Sequence, residues 1–175
     1  MAAVGGGATG GGASLGHKIR TLTALRVEVR RLRRHRQRIV FANGCFDLLH
    51  VGHVTLLERA KRLGDVLIVA INSDRSVHAL KGAHRPIMAQ QERARLLAAL
   101  ASVDYVTIFD APTPYRLIAA LEPDVLVKGA DWSSRGIVGR DVVARRGGRV
   151  VRIPLVNGYS TSALLRRIAR LLRAR

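Results

Sequence analysis

A chain of 175 residues, 48% hydrophobic, has room for one compact core and is too apolar for global disorder. Its single cysteine, Cys45, excludes an intrachain disulfide and fits a reducing cytoplasm, and no apolar run approaches the ~20 residues that span a bilayer. The formal charge of +18 is concentrated at the ends: residues 17–38 hold nine Lys/Arg against Glu28 alone, and residues 163–175 hold five Arg and no acid. Such ends attract nucleic acid or anionic lipid nonspecifically. Residues 17–38 contain no Phe, Tyr or Trp to stack on bases, which favours solvated helix faces over a nucleic-acid interface.

In chain order, residues 1–16 are Gly/Ala-rich without apolar period and read as a disordered tail, with no apolar stretch of the secretory-signal kind. Residues 17–37 form a basic helix with Leu22, Leu25, Val29 and Leu32 on one stripe. From residue 38 to 175, strands and helices alternate. Strands are expected at Arg38–Ala42, Val66–Ile71, Asp104–Phe109, Asp124–Val127 and Arg149–Ile153. Helices are expected at Val54–Leu63, Gln90–Leu100, Pro114–Leu121 and Gly139–Arg146. A last helix, capped by Ser160, should turn Leu164, Ile168, Leu171 and Leu172 inward. This alternation predicts one α/β domain: a doubly wound, mostly parallel five-stranded sheet of Rossmann-like type with an added N-terminal helix. Ligands of such sheets bind at the carboxyl ends of the strands, where strand order reverses.

The loop after the first strand carries His50-Val51-Gly52-His53. The spacing sets two imidazoles on one side of a helix start, facing free backbone N–H groups that bind anions. Imidazoles can donate hydrogen bonds to phosphoryl oxygens as charge develops. A histidine pair can also hold a metal, but no second Cys/His pair at zinc spacing accompanies it. Packed structural histidines are the third reading. The loop has neither the Gly-Lys-Ser/Thr of a phosphate loop nor a Gly-x-Gly-x-x-Gly.

Further along, Gly158-Tyr159-Ser160-Thr161-Ser162 places hydroxyls at a helix N-terminus. Lys81 is placed on the loop after strand two, and Arg85 is held extended by Pro86. Arg93 sits in a helix's first turn, where the helix dipole disfavours a cation, and that conflict suggests a task. Asp131 and Trp132 follow the fourth strand.

The stretch Asn43-Gly44-Cys45-Phe46-Asp47-Leu48-Leu49-His50-Val51-Gly52-His53 resembles the Gly-x-Phe-Asp-x-x-His-x-Gly-His signature of the cytidylyltransferase-like nucleotidyltransferases, with all six defined positions filled. The resemblance runs from about Arg38 to Ile168 and takes in Leu80-Lys81-Gly82, Glu92-Arg93 and Val127-Lys128-Gly129-Ala130-Asp131-Trp132. It implies an ATP site with His50, His53, Lys81 and Arg93 at the reacting phosphates. It also implies nucleotide contacts from Asn43, Gly44, Cys45, Phe46, Asp47, Gly52, Lys128, Gly129, Asp131, Ser160 and Thr161, and acceptor contacts from Arg85 and Trp132. Mg²⁺ is implied through the nucleotide phosphates, with no residue assigned as a metal ligand. A homodimer is also implied; the expectations of no membrane insertion and a cytoplasmic setting come from the apolar runs and the lone cysteine instead. Within the family the chain is most similar to the branch that adenylylates heptose 1-phosphate. The stretch Pro154–Gly158 lacks the arginine of the glycerol-phosphate cytidylyltransferase branch, which moves the expected donor from CTP to ATP. CTP with glycerol 3-phosphate is the alternative, and a nucleic-acid-binding protein on an inactive fold is a more distant one.

Overall fold

The computed structural model describes residues 15–130 and 136–174. Twelve main elements follow in order: α1 (Leu22–Arg34), β1 (Ile39–Gly44), α2 (Val51–Lys61), β2 (Val66–Asn72), α3 (Asp74–Lys81), α4 (Gln90–Ala98), β3 (Tyr105–Phe109), α5 (Tyr115–Leu121), β4 (Val125–Gly129), α6 (Arg140–Arg145), β5 (Arg149–Ile153) and α7 (Thr161–Arg173). The five strands form one sheet in the order β3-β2-β1-β4-β5, and every pair is parallel. The chain winds outward from β1 through β2 to β3, then returns to β4 on the other side. Strand order therefore reverses between β1 and β4, and the loops leaving these two strands flank the crevice where such sheets take ligands.

Side-chain alternation builds both faces. Ile39 and Phe41 point to the layer formed by Leu25, Val29 and Leu32 of α1 and Leu117, Ile118 and Leu121 of α5. Val40 and Ala42 point the opposite way, to Leu57 and Ala60 of α2 and Ala94 and Leu97 of α4. All seven residues of β2 are buried, as its unbroken apolar run requires. Carboxylates hold the strand beginnings: Asp124 Oδ2 accepts from Ile39 N at 2.7 Å, and Asp104 Oδ2 accepts from Leu67 N at 2.7 Å.

The structure departs from the sequence reading in four places. The basic helix expected over 17–37 is confined to Leu22–Arg34; the residues before it run beside β3, with Arg20 N donating to Val106 O at 2.8 Å, so this stretch pairs with a strand edge instead of extending the helix. Helix α3 is an addition to the expected set. Ser73 caps it, its Oγ accepting from Ser76 N at 3.0 Å, and it buries only Ser76 and Val77. Lys81 consequently ends a helix instead of lying on a loop. Helix α2 begins at Val51, three residues earlier than expected, which puts Gly52 and His53 in its first turn. Finally, α7 does not bury its apolar stripe. Leu164 is half-buried, while Ile168, Leu171 and Leu172 are 42%, 62% and 69% exposed. Periodicity specifies that a helix has an apolar face; it does not specify that the same chain covers that face. Among the described residues no helix is long and apolar enough to cross a membrane.

Candidate active site

The site is built on the loop between β1 and α2. Two of its residues, Phe46 (φ 48°) and Leu48 (φ 54°), are non-glycine residues in the left-handed region, a conformation held only where surroundings over-determine it. Asp47 between them supplies that constraint. Its side chain is fully buried; Oδ2 accepts from Arg85 Nε at 2.6 Å, and its oxygens accept from the amides of Ile87 and Met88 at 2.9–3.0 Å. Burial raises the Asp47 pKa, but those amides and the Arg85 guanidinium outweigh it and hold the carboxyl below its ordinary range. The Asp47 carbonyl accepts from Thr161 Oγ1 at 2.6 Å, so the start of α7 is tied to the same loop.

The two histidines then face one another. Their rings stack with centroids 3.8 Å apart and planes 18° apart, and Phe46 lies 5.1 Å from the His53 ring. Burial, and secondarily the His50 ring, push the His53 pKa down to about 4; burial lowers that of His50 as well. Both rings are therefore neutral at pH 7, able to donate from one nitrogen without carrying charge. Nδ1 of His50, Nδ1 of His53 and Oδ1 of Asn43 are buried with no hydrogen-bond partner among the described residues. Three unsatisfied polar atoms at one strand end are the mark of a site completed by a ligand. Gly52 makes the stack possible. A Cβ there would come within 3.1 Å of His50 Cε1 and Nδ1 and 3.2 Å of Tyr159 Cβ.

Arg93 takes a different place from the one its sequence position suggests. It is 1% exposed. Its Nε donates to Met88 O (3.0 Å), Nη1 to Cys45 O (2.6 Å), and Nη2 to Asn72 O (2.9 Å) and Asp74 Oδ1 (2.7 Å). The guanidinium thus joins the β1 loop, the end of β2, the start of α3 and the segment before α4. The conflict with the α4 dipole is resolved by this buried network. Sequence reasoning missed its partners Asn72 and Asp74; the polar run Asn72-Ser73-Asp74 directly after a buried strand was the signal for them.

Lys81 is exposed, yet close enough for its charge, with those of Arg93 and Arg85, to act on the Cys45 thiol, whose pKa burial nonetheless raises. Ser160 caps α7, its Oγ accepting from Ala163 N at 3.1 Å. Lys128 is buried at the end of β4 and is followed by Gly129, across from β1. Asp131 and Trp132 lie outside the described residues. No group of three His, Cys, Asp or Glu that could hold a metal occurs among the described residues. Asp47 and Asp74 are committed to Arg85 and Arg93. The arrangement offers neutral hydrogen-bond donors and the exposed Lys81 cation to a polyanion, with no protein cage for a cation among the described residues.

The cytidylyltransferase-like family model matches residues 41–167. A bifunctional protein HldE from Koribacter versatilis (strain Ellin345) is 57% identical over 148 residues, which cover 85% of this chain and 30% of that protein. The bifunctional protein HldE of Syntrophotalea carbinolica is 52% identical over 151 residues, 86% of this chain and 31% of that one. The chain therefore spans about 30% of the length of these curated relatives. The crystal structure of the lipopolysaccharide core biosynthesis protein from Thermoplasma volcanium GSS1 superposes with a TM-score of 0.57 at 27% identity, covering 71% of this chain and 99% of that one. Pantothenate synthetase from Thermus thermophilus, with a TM-score of 0.56 at 20% identity over 79% of this chain and 62% of that one, shares the fold.

Proposed function

This chain belongs to the cytidylyltransferase-like family, and from that premise we propose that it transfers AMP from ATP to D-glycero-β-D-manno-heptose 1-phosphate, releasing pyrophosphate. The observation that carries nucleotidyl transfer is the stacked His50–His53 pair, neutral and incompletely hydrogen-bonded, at the strand end where sheet order reverses. ATP and the heptose are supported by the resemblance to the heptose 1-phosphate adenylyltransferase branch and by the 57% identity to a bifunctional HldE. The missing arginine before Gly158 supports them too.

In the proposed reaction an oxygen of the sugar 1-phosphate attacks the α-phosphorus of ATP in line. The new P–O bond forms as the bond to the β-phosphate oxygen breaks, and pyrophosphate leaves with the electron pair. The acceptor is already ionised, so no general base is required. Catalysis then depends on positioning and on meeting charge as it develops. His50 and His53 donate hydrogen bonds to α- and β-phosphate oxygens. Lys81 adds positive charge from the end of α3. Arg85, fixed by Asp47, stands on the acceptor side, and the family resemblance assigns Trp132 the same role. Asn43–Phe46, Gly52, Lys128, Gly129 and the Ser160-Thr161 start of α7 surround the nucleotide, and the family resemblance adds Asp131 to its contacts. Arg93 holds the loops in register. Mg²⁺ would enter as part of the nucleotide substrate, with no side chain of this chain assigned to hold it, and would supply neutralisation of phosphate charge.

A homodimer in the cytoplasm belongs to the same proposal. The exposed apolar edge of α7, with Ile168, Leu171 and Leu172, supports self-association, since pairing would remove these residues from water. The deciding experiment is a pyrophosphate-release panel of ATP and CTP against heptose 1-phosphate and glycerol 3-phosphate. Release with ATP and the heptose alone is expected; release with CTP and glycerol 3-phosphate would transfer the assignment to that reaction.

A further inference from the structure

A second cluster of cations lies at the opposite end of the sheet. An open cleft of about 510 Å³ is walled on one side by Arg33, Arg36 and Arg38, where α1 passes into β1, and on the other by Arg146–Arg149, where α6 passes into β5. Asp124, before β4, also lines it. β1 is six residues long, so at ~3.3 Å per residue the cleft is roughly 20 Å from the histidine pair. It is a separate place, not an extension of the nucleotide crevice.

The charges there are not balanced. Glu122 Oε2 pairs with Arg146 at 2.7 Å and with Arg33 at 3.8 Å. Asp124 spends Oδ2 on the Ile39 amide at 2.7 Å. The side chains of Arg36, Arg38 and Arg149 make no hydrogen bond or ion pair with any described residue, and Arg33 Nε is buried without a partner among them. Burial and then the neighbouring Arg146 charge depress the Arg33 pKa, a sign that the cations crowd one another. Arginines in a last helical turn complement the negative helix end. That accounts for Arg33 and for Arg146, the residue capping α6, but not for Arg38 or Arg149, which stand at strand beginnings. Arg36 is less ordinary still: its φ of 56° is in the left-handed region, at the position past a helix end where glycine is the usual residue.

We propose that this cleft is a second anion site, taking a ligand that carries two or more linked phosphates between the α1–β1 and α6–β5 turns. Guanidinium pairs bind phosphate oxygens in a fork, and cations on both walls suit a ligand longer than one phosphate. The volume is within the range of small-molecule sites. Binding there would clamp α1 to α6 without touching the catalytic loop.

The probe is inorganic tripolyphosphate added to the ¹⁵N-labelled full chain, followed by amide chemical shifts. Saturable shifts of Arg36, Arg38, Gly147, Gly148 and Arg149 are expected, together with a rise in Tm. An Arg38→Gln/Arg149→Gln double variant should weaken binding at the cleft at least tenfold. Its core amides and its response at residues 44–54 should be unchanged, and so should its nucleotidyl transfer. Shifts confined to residues 44–54, or equal affinity in the double variant, would overturn the proposal. So would equal shifts from sulfate at matched ionic strength, which would reduce the cleft to nonspecific charge. A short single-stranded oligonucleotide that shifts these amides where tripolyphosphate does not would also overturn it, in favour of nucleic acid.

Discussion

The His50 and His53 rings lie in face-to-face contact, 3.8 Å between centroids, in a partly desolvated pocket. Protonating either ring would set a charge against its neighbour and against burial. His53 accordingly has a folded-state pKa near 4, below its ordinary 6.5. The unfolded chain therefore binds a proton between these values and the native chain does not. The resulting stability is present above about pH 6.5 and is lost as pH falls through 4, by at most about 3 kcal/mol. Urea denaturation at pH 7 and 4.5, compared between wild type and His53→Gln, measures it: the stability difference between the two proteins should shrink at the lower pH. A difference that does not change with pH would contradict the depressed value.

Gly52 sits against His50 in the first turn of α2. In Gly52→Ala, the new Cβ would meet the His50 ring at 3.1 Å and force it to move. Alanine also raises helix propensity by roughly 0.5–1 kcal/mol, which offsets part of the crowding. Turnover should fall tenfold or more with little change in Tm. Unchanged kcat would show that the position of His50 is not critical.

The sheet, its strand positions and the two-histidine loop were legible in the sequence because continuous apolar runs, such as that of Val66–Ile71, and a dense signature each depend on local residues. The role of Arg93 was not legible. Its partners Cys45, Asn72 and Asp74 lie 19 to 48 residues away and meet only when the loops converge. Helix α3 is hidden because it is short: eight residues that bury only Ser76 and Val77 offer no apolar run long enough to distinguish it from a loop. For α7 the period is legible and the burial is not, since burial depends on what packs against the stripe.

Arg93 is a positioning residue in this account, and its removal should act first on stability. Arg93→Met leaves Asp74 and the carbonyls of Cys45, Asn72 and Met88 without their buried donor. A loss of about 3–5 kcal/mol in chemical denaturation is expected. Arg93→Lys should recover part of the stability but not the four-way geometry, so kcat should remain low while KM for ATP changes little. A variant with normal stability and a large rise in KM for ATP would instead make Arg93 a direct nucleotide contact.

The exposed edge of α7 predicts self-association. Wild type should sediment as a dimer, and Leu171→Glu should sediment as a monomer while keeping its fold, because Leu171 is 62% exposed and lies outside the core. A wild-type chain that is monomeric at micromolar concentration would remove the homodimer from the account.

The most direct test of the central claim is pyrophosphate release from ATP and heptose 1-phosphate by His53→Ala, with folding checked by circular dichroism. Loss of one transition-state donor should lower kcat on the order of 10²–10³-fold and leave KM for ATP nearly unchanged. A folded His53→Ala chain with near-normal turnover would contradict the assignment of the stacked histidines to the reacting phosphates.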